Sequence, residues 1–206
     1  MAYLRRRGVL REPLRARVSV RHRGYPRPHA VRKPRGLTVA RPGDLVQLDT
    51  LDIRPPGVTK PFKQFTARDV ISRWDVLCLA RDARAQSART MLDALAARMP
   101  FAVRAISVDN GAEFMAEFET ECAARGIALY TLPPRSPKLN GAVERANRTH
   151  TEEFYELTDA PAELEPLRTA LADWEVCYNT VRPHQALGYL TPAEWLAQAG
   201  YLPGSV

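Results

Sequence analysis

Apolar positions along residues 1–42 follow no sustained period, whereas from Leu45 onward they fall into short runs of two kinds. Leu45-Val46-Gln47-Leu48-Asp49-Thr50-Leu51-Asp52-Ile53 follows a Gly43-Asp44 turn and stops at Pro55-Pro56-Gly57, the signature of a strand. Two further β-like stretches run from Phe62 to Ile71 and from Trp74 to Ala80. In the second, Val76, Cys78 and Ala80 alternate with Leu77 and Leu79, an all-apolar run expected of a strand covered on both faces. The period then changes. Ala88, Leu92, Leu95 and Met99 recur at helical spacing until Pro100, which predicts a helix over 85–99. A short strand, Ala105 to Val108, precedes a helix whose one face carries Phe114, Phe118 and Cys122 and which Gly126 ends. Ile127 to Leu132 reads as a strand stopped by Pro133-Pro134. A long helix is predicted from about Asn140 to Leu157, with Val143, Ala146, His150 and Phe154 toward the core, and another from Ala162 to Tyr178. Thr191-Pro192-Ala193-Glu194 is a capping box with proline at the first helical position, which needs no functional explanation.

Three leading strands on short turns suggest an antiparallel meander, and the β-α-β alternation that follows implies parallel additions. The pattern predicts an α/β fold with a mixed five-stranded sheet flanked by helices on both faces. Its expected organisation is an Arg/Pro-rich arm or linker over residues 1–42, a core over 43–160 and a C-terminal helical extension over 161–206.

Charge sharpens that division. The chain of 206 residues carries a net charge of +7. Residues 1–48 hold thirteen of the thirty bases and only two acids, Glu12 and Asp44, so the remainder is net acidic. A basic arm of this kind predicts nucleic-acid binding, because clustered cations displace the counterions condensed on phosphates. Cys78, Cys122 and Cys177 are far apart and odd in number, which argues against a disulfide framework or zinc site and for a reducing, cytoplasmic setting. No apolar run approaches the roughly 18 residues of a membrane span.

Three carboxylates stand out by position. Asp49 lies mid-strand, where Asp is disfavoured; Asp109 ends the Ile106-Ser107-Val108 strand; Glu144 lies in the first turns of the long helix. Each alone has a plain reading: a strand-edge charge, a turn opener, and a solvated acid paired with Arg148 at i+4. Asp52 competes with Asp49, but three residues on, strand alternation sends it to the opposite face. Strands 1 and 4, if neighbours, bring Asp49 and Asp109 together at the strand ends, where open sheets bind ligands. Converging carboxylates need a neutralising cation, and hard oxygen donors select Mg²⁺ or Mn²⁺, two of which can activate the attacking and stabilise the leaving oxygen of a phosphodiester.

Asp49, the run Ser107-Val108-Asp109-Asn110-Gly111-Ala112-Glu113-Phe114, and Ser136-Pro137-Lys138-Leu139-Asn140-Gly141-Ala142-Val143-Glu144-Arg145-Ala146-Asn147 together resemble the catalytic core of D-D-E transposases and integrases, both bacterial insertion-sequence and retroviral. The tail Tyr178-Asn179-Thr180-Val181-Arg182-Pro183-His184-Gln185-Ala186-Leu187 is similar to the end of the bacterial branch. The resemblance implies a ribonuclease H-like fold and a metal-dependent polynucleotidyl transferase that cleaves DNA strands and transfers them. It further implies that Asp49, Asp109 and Glu144 are catalytic and hold two Mg²⁺ or Mn²⁺ ions. Lys138, Asn140, Arg145 and Arg148 would line the DNA path, with mobile-element ends and target DNA as partners and a homo-oligomer assembled on DNA. Asn140, Glu144 and Arg148 fall at i, i+4 and i+8, on one helical face. His184 is expected to make a structural hydrogen bond. Retroviral relatives carry a His/Cys zinc module before the core and bacterial ones helix-turn-helix modules; forty Arg/Pro-rich residues hold neither, so a truncated copy or fragment is expected. The rival readings are a non-catalytic, DNA-binding remnant that inhibits a full-length transposase, and a hydrolytic nuclease of the same fold.

Overall fold

The computed structural model describes residues 29–34, 36–109, 111–133 and 139–201. The elements run β1 (Val31–Arg32), β2 (Val46–Ile53), β3 (Phe62–Asp69), β4 (Asp75–Ala80), α1 (Ala85–Arg98), β5 (Ala105–Val108), α2 (Glu117–Ala124), β6 (Ala128–Thr131), α3 (Gly141–His150), α4 (Leu164–Thr180) and α5 (Pro192–Gln198). The sheet order is β1-β6-β5-β2-β3-β4. β2, β3 and β4 form the antiparallel meander, and β5 and β6 add in parallel on the other side of β2.

The meander and the two parallel additions are the five strands that the pattern predicts. The sixth comes from the segment expected to be an unpacked arm. Val31 and Arg32 pair in parallel with Tyr130 and Thr131, and the backbone N–H groups of His29 and Ala30 donate to the buried Glu119 carboxylate at 3.4 and 3.3 Å. Two residues are too few to show a period, and the anchor is a carboxylate ninety residues away. The packed part of the chain therefore begins before residue 43, and most of the predicted arm, residues 1–28, lies outside the described residues.

Strand alternation separates two cores. Even-numbered Val46, Leu48, Val76, Ile106 and Val108 face α1 and α2, packing with Met91, Leu92, Leu95, Phe114 and Phe118. Odd-numbered Ile53, Leu77 and Leu79 face the opposite layer, with Phe154, Leu164, Leu167 and Leu171. β4 is thus apolar on both faces because both are covered. Its outward backbone groups are also occupied. Asn179 binds the N–H and C=O of Asp75, the Glu175 carboxylate accepts from Leu77 N at 2.5 Å, Arg98 donates to Leu77 O, and Arg168 donates to Leu79 O.

The long helix predicted from Asn140 to Leu157 is not continuous. α3 ends at His150 and passes into a single wider turn of π type, Thr151–Tyr155. Such a turn inserts one residue into the helical repeat, a change that a 3.6-residue apolar pattern does not encode. The capping box forms as predicted: Thr191 Oγ1 accepts from Glu194 N at 3.1 Å, and Glu194 Oε2 accepts from Thr191 N at 2.8 Å.

Candidate active site

β2 presents Gln47 and Asp49 on the odd-numbered face, toward α3. Its parallel pairing with β5 aligns Val46 with Ile106 and Gln47 with Ser107. Carried two residues further, that register sets Asp49, mid-way along β2, level with Asp109, just past the end of β5. Asp52 lies on the other parity and forms a separate exposed ion pair with Lys63.

α3 brings the third acid, and its position is governed by a residue that the sequence reading passed over. Asn140 occupies the N-cap but makes no capping bond with its side chain. Gln47 does this from the sheet. Its Oε1 accepts from Ala142 N and Val143 N, both at 3.0 Å, and its Nε2 donates to Leu139 O at 2.8 Å. Two of these three bonds satisfy open N–H groups at the helix start, where they otherwise lack partners, and the third satisfies the carbonyl just before it. They also tie the turn carrying Glu144 to the strand carrying Asp49. Arg68 adds a second tie: its guanidinium forks onto Asp75 at 2.7 and 2.8 Å and donates to Ala142 O at 3.3 Å.

Asp49 is half-buried, while Asp109 and Glu144 are exposed. Burial, followed by the negative charges of Asp109 and Glu144, pushes the Asp49 carboxyl up to about 6, against the Thr50 N–H and Asn147 amide bonds that favour its ionised form. Asn147 Nδ2 donates to Asp49 Oδ2 at 3.0 Å, and Asn147 Oδ1 has no hydrogen-bond partner among the described residues.

A fourth acid stands beside them. Asp109 Oδ1 accepts from Gly111 N at 2.8 Å, and a Cβ at Gly111 would lie 2.7 Å from Glu113 Oε2 and 3.0 Å from Asp109 Oδ1. A side chain at 111 would therefore have to displace the Glu113 carboxylate. Glu113 Oε1 in turn accepts from Thr50 Oγ1 on β2 at 3.1 Å. Glu113 and Asn147 belong to the motifs already quoted, but only the fold reveals that they touch this site.

Carboxylates and an amide oxygen are hard donors of the kind that Mg²⁺ and Mn²⁺ select, and Asp49 is raised by burial first and then by the charges of Asp109 and Glu144. The donor set fits such a cation in kind. Among the described residues no three His, Cys, Asp or Glu side chains already stand close enough to form a metal-binding group.

The residues expected to contact DNA separate. Lys138 lies outside the described residues. Asn140 is buried at the helix cap. Arg148 is exposed and pairs with Glu152 at 2.6 Å, not with Glu144. Arg145 turns away from the acids and lines a different cleft.

Among solved structures, the catalytic core domain of BIV integrase superposes with a TM-score of 0.59 and 24% identity, covering 76% of this chain and 95% of that one. This is the fold of an integrase catalytic core. The catalytic core domain of HTLV-2 integrase in complex with magnesium matches it with a TM-score of 0.55 at 16% identity, over 74% of this chain and 95% of that one. The integrase core has a ribonuclease H-like fold, as the sequence resemblance implies. The Integrase core domain family matches residues 125–192, which include the Glu144 helix and the Arg182-Pro183-His184 tail. An insertion element IS476 protein of 39.2 kDa from Xanthomonas euvesicatoria is 32% identical over 101 residues, 46% of this chain and 27% of that protein. An insertion element IS407 protein of 31.7 kDa from Burkholderia multivorans is 32% identical over 110 residues, 50% of this chain and 37% of that protein. The chain thus spans less than two fifths of the length of these relatives. No described helix is long and apolar enough to cross a membrane.

Proposed function

We propose that this chain is the catalytic core of an insertion-element transposase, a polynucleotidyl transferase that cleaves DNA and joins the freed strand to a target. The observation that supports the reading is that the β2–β5 register and the Gln47 clamp on α3 bring Asp109 and Glu144 near enough to Asp49 to help raise its carboxyl. Asp49, Asp109 and Glu144 would hold the divalent ions, whose chemistry would be to activate the attacking oxygen and stabilise the leaving one. The chain's own part is positioning. Asn147 holds one oxygen of Asp49, Gln47 and Arg68 fix the start of α3, and Gly111 leaves room between Asp109 and Glu113. Pre-set geometry of this kind lowers the entropic part of a barrier without a covalent enzyme intermediate. The partners are mobile-element ends and target DNA. Several copies act together on them, a reading in line with the trimeric and dimeric forms in which the HTLV-2 integrase core has been solved.

Strand transfer of element-end DNA should require Mg²⁺ or Mn²⁺. Asp109→Asn and Glu144→Gln should each abolish turnover while leaving the circular dichroism spectrum and melting cooperativity intact. Turnover that persists in chelator, or in either variant, refutes the reading.

A further inference from the structure

A second concavity lies on the other flank of α3, bounded by the β3–β4 turn and by the tail after α4. It encloses about 770 Å³. Four arginines line it, Arg68, Arg73, Arg145 and Arg182, and no Asp or Glu is among the lining residues.

Two of these charges are already answered: Arg68 by Asp75, and Arg182 by Glu153 through paired bonds from Nε and Nη2. The Arg73 and Arg145 guanidiniums make no hydrogen bond or close ion pair with any described residue. The cleft therefore holds two guanidiniums without a direct partner beside two fixed ones. Its positive field is felt by His184, whose imidazole is pushed down to about 4 by burial first and then by Arg68 and Arg182. His184 is consequently neutral; it receives no role beyond its hydrogen bonds to Leu190 O and Tyr178 O.

The backbone points the same way. Among the described residues, three non-glycine residues have positive φ: Arg73 at 61°, Ala116 at 48° and Tyr189 at 67°. Two of the three line this cleft. Residues held in the left-handed region cost free energy, and they persist where the surroundings over-determine them, often at ligand clamps. The Arg73 turn is built in this way. The buried Asp69 carboxylate accepts from Gly43 N, Ile71 N, Ser72 N and Ser72 Oγ at 2.6–3.1 Å, and Asp69 O accepts from Arg73 N. Tyr189 is held at the rim by a bond from its N–H to His184 O, and the residue is 69% exposed. Unpaired guanidiniums beside an exposed aromatic ring are the elements of a single-strand nucleic-acid site, in which cations take phosphates and the ring takes a base.

We propose that this cleft binds one strand of nucleic acid, with backbone phosphates on Arg73 and Arg145 and an unstacked base on Tyr189. It rests on the reading of the chain as a DNA-processing core. Since Arg145 follows Glu144 directly on α3, a strand lying in the cleft runs past the helix turn that bears the candidate catalytic acid. The Arg-Pro-His tail thereby gains a function: Arg182 and Pro183 form one wall.

The test is equilibrium binding of a random-sequence single-stranded oligonucleotide and its duplex to the 206-residue chain, in chelator, so that it reads independently of strand-transfer chemistry. Arg73→Gln with Arg145→Gln should lower single-strand affinity about tenfold and make the slope of log K against log salt shallower by about 1.4, near 0.7 per phosphate lost. Arg73→Lys with Arg145→Lys should keep most of the slope. Tyr189→Ala should weaken the single strand at least about fivefold with the slope unchanged, and the duplex much less. Unchanged affinity and slope in the glutamine variant overturn the proposal.

Discussion

Asp49 carries a cost that its own surroundings create. Its carboxyl, ordinarily near 3.8, is pushed up to about 6 by burial and by Asp109 and Glu144. A raised folded-state value means that the folded chain binds the proton more tightly than the unfolded chain. Its contribution is therefore neutral below about pH 4, becomes unfavourable as pH rises through about 6, and stays so above. Asp49→Asn keeps an acceptor for the Asn147 amide and removes the charge. It should stabilise the metal-free chain above pH 6 by up to about 3 kcal/mol, and near pH 4 by almost nothing. Urea midpoints across that range check this. An advantage of the same size at pH 4 would place the effect in packing and not in charge. Saturating Mg²⁺ should narrow the gap at pH 7.5 by relieving the wild-type charge. Asp49 stood out in the sequence because an aspartate between Leu48 and Leu51 is out of place in a strand. Glu113 and Asn147 did not, because each reads locally as an ordinary solvated or helix-face residue.

Gln47 shows how much of the site depends on the contact between a strand and a helix. Mid-strand polar residues two apart, Gln47 and Asp49, signal a polar patch on one face, but nothing local says that the glutamine caps a helix ninety-five residues later. Gln47→Leu preserves volume and strands Ala142 N, Val143 N and Leu139 O. It should cost about 1–3 kcal/mol of stability, the usual penalty for unpaired buried polar groups. It should also reduce strand transfer by more than the loss of folded protein accounts for. Amide exchange at Ala142 and Val143, read by NMR, should accelerate selectively. Wild-type protection there would show that the clamp is dispensable. The strand over 105–108 was legible to the residue, whereas the helix expected to carry Phe114, Phe118 and Cys122 is broken before Glu117, with Phe114 in a separate 3-10 turn. β1 and the π turn were not legible. The first is two residues held by Glu119, and the second is a one-residue insertion that periodicity averages away.

The arrangement of charge over the chain is uneven. Residues 1–28 hold nine of the thirty bases and one acid, whereas the acids of the site lie on the described core. Deleting residues 1–28 spares the β1 strand and the Glu119 anchor. The truncated chain should stay folded, lose affinity for random duplex, and show a distinctly flatter salt dependence. Melting curves and salt titrations check both halves of this expectation. An unchanged slope would assign non-specific binding to the core. Composition alone showed the concentration of bases before residue 48, but not that His29 to Arg32 pack onto the sheet. The second cleft was not legible, since its arginines lie at 68, 73, 145 and 182 and meet only after the sheet and α3 are in place.

The outward edge of β4 has a consequence for how copies of the chain can meet. A bare edge strand is a template onto which another chain can add, the usual route to sheet-to-sheet association. Here Asn179, Glu175, Arg98 and Arg168 already fill the positions that an incoming strand would need. The side chains of α1 and α4 behave as a substitute strand, and they cannot leave without stranding the Glu175 carboxylate and the Arg98 guanidinium together. Addition of a strand is closed at this border, which leaves β1 as the other edge of the sheet. At the β4 side the chain is thereby protected from the irreversible stacking that an open border would invite.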